Sequence, residues 1–185
     1  MVGVYYGISA LTLTDHTTLS RYHYENANLP ECISLVNIGL DFFPATLQGT
    51  MLSSRLHNAA GSAHFEMNNL EQSRYHFEIT RKIRETLVDP DDPETEEELA
   101  GIYNNVGVVL SAEGNLHEAL ESLDRSRKIK LGLGKGSEVT LIRYYMNAGR
   151  TLLLQDKLDQ GQELYDKAMA IIIEHYGDRS LIYAQ

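Results

Sequence analysis

Four short segments of this 185-residue chain share one pattern. They are Asn28 to Cys32 (NLPEC), Asn69 to Ser73 (NLEQS), Asn115 to Ala119 (NLHEA) and Lys157 to Gly161 (KLDQG). Each ends on a small residue, and those ends lie 41, 46 and 42 residues apart. A second small residue stands 12 positions before each one: Ser20, Gly61, Gly107 and Gly149. A fixed period of this length marks a chain built from stacked repeats, none of which buries its apolar face alone.

The flanking stretches are apolar at helical spacing. Ile102, Val106, Val109 and Leu110 precede one segment, and Leu116, Leu120 and Leu123 follow it. Each repeat therefore reads as two helices joined by a short turn. In three repeats the second helix opens with Asn and carries Glu or Gln three residues on: Asn28/Glu31, Asn69/Gln72 and Asn115/Glu118. That is the spacing of an N-cap with its reciprocal partner. The fourth repeat has Lys157 at the Asn position. Glycine inside a helix costs about 1 kcal/mol relative to alanine, so Gly61, Gly107 and Gly149 need a compensating gain. Close approach of the paired helix supplies it, and Cys32, Ser73, Ala119 and Gly161 supply the other side of the contact.

Charge is uneven. The chain has 16 basic and 26 acidic residues, a formal net charge of −10. Residues 89–98 (DPDDPETEEE) hold seven of the acids, and setting them aside leaves −3. Pro90 and Pro93 break a helix, so this run is expected to be a solvated connector, with Thr95 to Glu98 opening the next helix as a capping box. The acidic balance argues against nucleic-acid binding. No run of about 18 apolar residues exists, so no membrane span is expected, and the N-terminus lacks the basic start of a secretory signal. A single cysteine, Cys32, excludes an internal disulfide framework and fits a reducing, cytoplasmic setting.

The repeat resembles the tetratricopeptide repeat family, whose signature runs aromatic, large apolar, glycine, then alanine and a further aromatic. Tyr103, Val106, Gly107, Leu110, Ala119 and Leu123 follow that order, as do Tyr145, Ala148, Gly149, Leu152, Gly161 and Tyr165. His57, Ala60, Gly61, His64, Ser73 and Phe77 follow it less closely, and His16, Leu19, Ser20, His23, Cys32 and Val36 least. The period near 42, the missing helix-ending proline and the asparagines of YNNVG (Tyr103 to Gly107) and MNAG (Met146 to Gly149) are similar to the longer-helix subclass of kinesin light chains. The resemblance implies an all-α fold, a right-handed superhelical solenoid of antiparallel helix pairs. One array over residues 1–185 is expected, with repeats at about 12–43, 44–88, 95–133 and 137–177, an acidic connector at 88–95, and the start of a fifth repeat at 180–185.

The resemblance also implies a non-enzymatic scaffold that binds a protein or peptide along a concave face lined by first helices, within a larger signalling or regulatory protein. The residues it assigns to that face are Arg55, Asn58, Ser62 and Glu66, then Asn104, Asn105 and Val108, then Arg143, Met146, Asn147 and Arg150. Asparagine amides grip peptide backbone, and arginines hold carboxylates with paired hydrogen bonds. A competing role for Asn104 and Asn105 is to bond neighbouring helices. Asn58 and Ser62 stand where a carboxylate clamp of this family would want a lysine and another asparagine, which argues against clamping.

Other features point to structure rather than chemistry. His57 and His64, like His16 and His23, are seven apart, whereas zinc on one helix prefers four. Core packing is the expected role, with pH-sensitive stability as a secondary one. LGLGKGS (Leu131 to Ser137) lacks the Lys-Ser/Thr pair of a phosphate loop. No metal or cofactor is expected, and no catalytic constellation stands out. The alternative function is a structural module that self-associates through an uncapped C-terminal end of the solenoid, because no polar helix closes the array.

Overall fold

The structure, a computed structural model, describes residues 21, 24–41, 49–89, 91–133 and 138–177. Ser20, His16, His23, most of the LGLGKGS loop and residues 180–185 lie outside them. Among the described residues the elements are seven α-helices and one 3-10 turn. The chain divides into two compact units, one up to Leu87 and one from Val88.

The N-terminal unit contains α1 (Leu29–Asp41), α2 (Met51–Glu66) and α3 (Leu70–Leu87). α2 and α3 form a hairpin, and α1 packs on α2. Val36, Leu56 and Ala60 are fully buried between them, with Leu40, Leu52 and Ala59 packed alongside. The C-terminal unit contains α4 (Pro93–Ala112), α5 (Leu116–Gly132), a 3-10 turn (Glu138–Leu141), α6 (Ile142–Leu154) and α7 (Leu158–Tyr176). α4 pairs with α5, α6 pairs with α7, and α6 packs on both α4 and α5. Ile102, Val106, Val109, Leu110, Leu123 and Ala148 form its apolar centre.

Every hairpin closes through the same three-residue turn. Its middle residue adopts a left-handed backbone: Asn68 (φ 57°), Gly114 (φ 84°) and Asp156 (φ 59°), matched by Ala27 (φ 57°) ahead of α1. The next residue sends its N–H back to the last turn of the preceding helix. Asn69 bonds the His64 carbonyl at 2.8 Å, Asn115 that of Leu110 at 2.9 Å, and Lys157 that of Leu152 at 3.0 Å. This is a Schellman closure, which satisfies carbonyls that the helix end leaves open.

The small residues meet as their 12-residue offset predicts. A Cβ on Gly61 would lie 2.7 Å from the Phe77 ring, and the Ser73 hydroxyl donates to the Gly61 carbonyl at 2.8 Å. A Cβ on Gly107 would lie 2.7 Å from Leu123 Cγ and 3.1 Å from the Ala119 carbonyl. Between α6 and α7, a Cβ on Gly161 would lie 2.9 Å from the Gly149 carbonyl and 2.7 Å from Leu153. Cys32 is fully buried, and burial pushes its thiol up to about 11, so it packs as a small apolar residue.

The acidic run behaves differently from expectation. α4 starts at Pro93, not after a Thr95 capping box. Asp92 is the N-cap, its carboxylate accepting from the Glu94 N–H at 3.0 Å, and Pro93 fills the first helical position, where a missing N–H does no harm. The Thr95 hydroxyl donates to the Asp89 and Asp92 carbonyls and accepts from the Asp89 N–H at 2.9 Å. Glu94 and Glu96 thus sit in the first turn of a helix, where its dipole favours negative charge. The expected Asn caps are uneven too. Asn69 accepts from the Gln72 N–H at 3.5 Å, whereas Asn115 makes no cap and turns its amide to Glu113 at 3.2 Å.

Candidate functional site

The first helix of each hairpin, α2, α4 and α6, carries the residues expected to meet a partner. In the C-terminal unit α4 and α6 are locked side by side by a polar seam. The Asn147 amide donates to the Asn104 carbonyl oxygen at 2.9 Å. Further along, the Thr151 and Ser111 hydroxyls share a hydrogen bond of 3.0 Å, and Thr151 also donates to the Asn147 backbone carbonyl. Asn104 is only 4% exposed. Its amide oxygen is taken up by the neighbouring helix, in line with the competing role for Asn104 of bonding between helices. Asn147 is half-buried beside it.

Above the seam the surface opens. Arg143, Met146 and Arg150 are exposed on α6, and Asn105 and Val108 are half-buried on α4. Among the described residues neither Arg143 nor Arg150 forms an ion pair with a carboxylate. Arg143 lies near Lys130, whose ammonium is pulled below its usual range chiefly by burial and then by Arg143, while Glu97 acts the other way. Lys130 donates to the Thr140 carbonyl at 3.2 Å. Arg150 borders a shallow cavity of about 410 Å³ lined also by Ser111, Ala112, Gly114, Leu116 and Leu154. Leu154 and Met146 are exposed apolar groups on this side of α6.

The four remaining candidates belong to the N-terminal unit. Arg55 and Glu66 are exposed on α2, and Asn58 and Ser62 are half-buried. Ser62 and Glu66 lie beside the Tyr24 hydroxyl, whose proton is held mainly by burial and next by the Glu66 charge. These four belong to a different structural unit from Arg143, Met146 and Arg150.

Sequence reasoning missed three kinds of residue. Ala112, Leu116 and Leu154 line the cavity but carry no polar group to draw notice. Thr151 and Ser111 set the spacing of α4 and α6. His76 is 7% exposed and lies against both His57 and His64, at the place that Ser122 holds in the next hairpin, 19 residues after Tyr103. Among the described residues no three His, Cys, Asp or Glu groups are arranged to hold a metal ion, and no helix is long and apolar enough to cross a membrane.

Comparison with known proteins bears on the fold. Residues 98–171 match the tetratricopeptide repeat family. The solved structure of BtubC (BKLC) from P. vanneervenii is similar with a TM-score of 0.76 at 15% identity, over 89% of this chain and 65% of that one. A kinesin light chain-type protein of nearly identical TPR-like repeats from Podosopora anserina gives 0.65 at 18% identity, over 88% and 75%. MamA gives 0.63 at 16% identity, over 90% and 76%. The chain thus spans under two thirds of the BtubC structure. No curated protein matches it. The repeated hairpins, their shared turn, their small-residue crossings and the comparisons agree: residues 98–171 match the tetratricopeptide repeat family, and the chain has the all-α fold of tetratricopeptide solenoids.

Proposed function

We propose that the C-terminal unit binds an extended, acidic segment of a partner protein along the face of α4 and α6. The tetratricopeptide fold suggests a protein-binding scaffold. One observation carries the finer reading: two exposed guanidiniums, Arg143 and Arg150, stand seven residues apart on α6 without ion pairs among the described residues, and Arg150 borders an apolar cavity. Residues seven apart share a helical face. Partner carboxylates meet the guanidiniums with charge-assisted hydrogen bonds, and a neighbouring apolar side chain enters the cavity between Ala112, Leu116 and Leu154. Asn105 and Asn147 lie half-buried beside this face. Of the seven acids in residues 89–98, Glu94, Glu96, Glu97 and Glu98 stand in the first turns of α4, whereas Arg150 and the cavity lie by its last residues, Ser111 and Ala112.

The test is fluorescence polarisation with a labelled, capped peptide of alternating leucine and glutamate, against its leucine–lysine counterpart. The acidic peptide is expected to bind and to weaken with added salt, and Arg150→Ala to weaken it by about threefold to tenfold. Equal binding of both peptides, or no effect of Arg150→Ala and Arg143→Ala, rejects this assignment.

A second reading, a structural module that joins copies of itself, draws on α7. Met169, Ile173 and Tyr176 form an exposed apolar stripe at helical spacing there. Sedimentation showing a monomer at high concentration counts against it, and an assembly dispersed by Ile173→Glu supports it.

A further inference from the structure

In the hairpin of α2 and α3, three imidazoles occupy positions that the neighbouring hairpin fills with groups that do not titrate near neutral pH. His57, His64 and His76 stand 46 residues before Tyr103, Leu110 and Ser122, which take the same places between α4 and α5. The His57 and His76 Nδ1 atoms are 2.9 Å apart, and their rings lie at 5.1 Å. The His64 ring stacks on His76 at 5.5 Å, and its Nδ1 is buried with no hydrogen-bond partner. A contact of 2.9 Å between two ring nitrogens holds one proton: one nitrogen donates and the other accepts. Protonating both places two N–H groups head to head and two positive charges in contact, with the third ring within reach.

We infer that the His57–His64–His76 cluster makes the α2–α3 hairpin an acid-sensitive element, closed when the three rings are neutral, with His57 hydrogen-bonded to His76 and His64 stacked on it, and loosened when they take up protons. The surroundings offer little to offset the added charge. Burial alone disfavours the imidazolium at His57 and His64. At His76 burial comes first and the other two histidines next, and together they push it down to about 4. Tyr75 of α3 lies edge-on to His76 at 5.2 Å. Also on α3, Glu78 and Glu85 are held by Arg81 at 2.7 and 2.6 Å. Ahead of α1, Tyr24 lies near Glu66 of α2 and Cys32 of α1.

The sign follows from linkage. In the opened hairpin each ring takes a proton near its ordinary value of about 6.5, and in the closed one it does so only at lower pH. The contribution of the cluster is therefore complete above about pH 6.5 and is lost as pH falls from there towards about 4. Ordinary carboxylates titrate largely below this window's upper part.

Hydrogen–deuterium exchange on the full chain, read by mass spectrometry, tests this. The α4–α5 hairpin serves as the internal standard that cancels the intrinsic pH dependence of exchange. Protection of α2–α3 relative to α4–α5 is expected to hold level above about pH 6.5 and, from there down to about pH 5, to fall towards tenfold per pH unit for each proton taken up on opening. The combined variant His57→Tyr, His64→Leu and His76→Ser, which installs the residues of the second hairpin, is expected to make that ratio flat. Should that variant fail to fold, NMR titration of the unaltered chain decides: His76 is expected to remain neutral below about pH 6. A constant protection ratio in the unaltered chain, or His76 titrating near its ordinary value of about 6.5, overturns the inference.

Discussion

Gly101 and Gly107 occupy one helix, six residues apart, and physical chemistry assigns them opposite roles. A Cβ on Gly101 meets nothing within 4 Å, whereas one on Gly107 meets Leu123 at 2.7 Å and the Ala119 carbonyl at 3.1 Å. Gly101→Ala removes backbone freedom from the unfolded chain and is expected to stabilise by about 0.5–1 kcal/mol. Gly107→Leu overpacks the α4–α5 crossing and is expected to destabilise by about 1–3 kcal/mol. Thermal or urea unfolding of the two variants, monitored by circular dichroism, checks both signs. The role of Gly107 is legible in the sequence because a period exposes it: a residue kept small in every repeat, with a small residue 12 positions on, must face another helix. The same logic does not expose His76. The first-helix histidines stand out as pairs seven apart, but His76 has no such companion, and Ser122 and Leu164 hold its place in later repeats. A chemistry that occurs in one repeat leaves no periodic trace.

At the scale of the element, the turn is harder to read than the helices. Its left-handed residue is Ala27, Asn68, Gly114 or Asp156, four different types at one register position. Gly114, Asn68 and Asp156 belong to the types that adopt this backbone more readily, and Ala27 does not. The segment pattern is legible because Leu29, Leu70, Leu116 and Leu158 open the second helices, but the residue before them has a second duty that the sequence conceals. In each hairpin its backbone N–H closes the preceding helix, so a helix start and a helix stop share three residues. Gly114→Ala, at φ 84°, is expected to cost about 1 kcal/mol in unfolding free energy, although its Cβ would touch nothing within 4 Å. A value near zero in chemical denaturation would show that the turn relaxes. The start of α4 makes a parallel case. Thr95 has the spacing of a capping box, but Pro93 is prearranged for a first helical position and Asp92 already supplies the cap. Asp92→Ala is expected to lose about 1 kcal/mol, where Thr95→Ala instead loosens the connector without removing the cap. Amide exchange of Glu94 separates the two.

For the whole molecule, the period determines the class of fold, but it does not make the hairpins equal in strength. Both α2–α3 and α4–α5 are described throughout their helices. The first buries Leu56, Ala60, Ala63 and Phe77 as its apolar residues, together with Ser53, Ser54, Ser73, His76, Thr80 and Arg84. The second buries Leu99, Ala100, Ile102, Tyr103, Val106, Val109, Leu110, Ala119 and Leu123, together with the polar Asn104, Ser111, Ser122 and Ser126. Buried hydroxyls such as Thr80 and Ser73 are satisfied by backbone carbonyls, which recovers their desolvation cost but adds little beyond it. Each additional large apolar side chain taken from water contributes about 1.5–3 kcal/mol before packing losses. The balance favours α4–α5 even at neutral pH, where the histidines are uncharged and their titration plays no part. Native-state hydrogen exchange at neutral pH is therefore expected to show the slowest amides in α4 and α5. Those of α2 and α3 are expected to open at a free energy lower by about 2 kcal/mol or more, roughly thirtyfold in exchange rate. Equal protection of the two hairpins would mean that their stability is set by cooperation along the array and not by what each pair of helices buries. Slower exchange in α2–α3 would mean that its polar contacts stabilise it more than apolar burial stabilises α4–α5. The expected order puts the most protected hairpin beside the proposed partner face, so Arg150 and the cavity below it lean on a support that does not need the partner to fold.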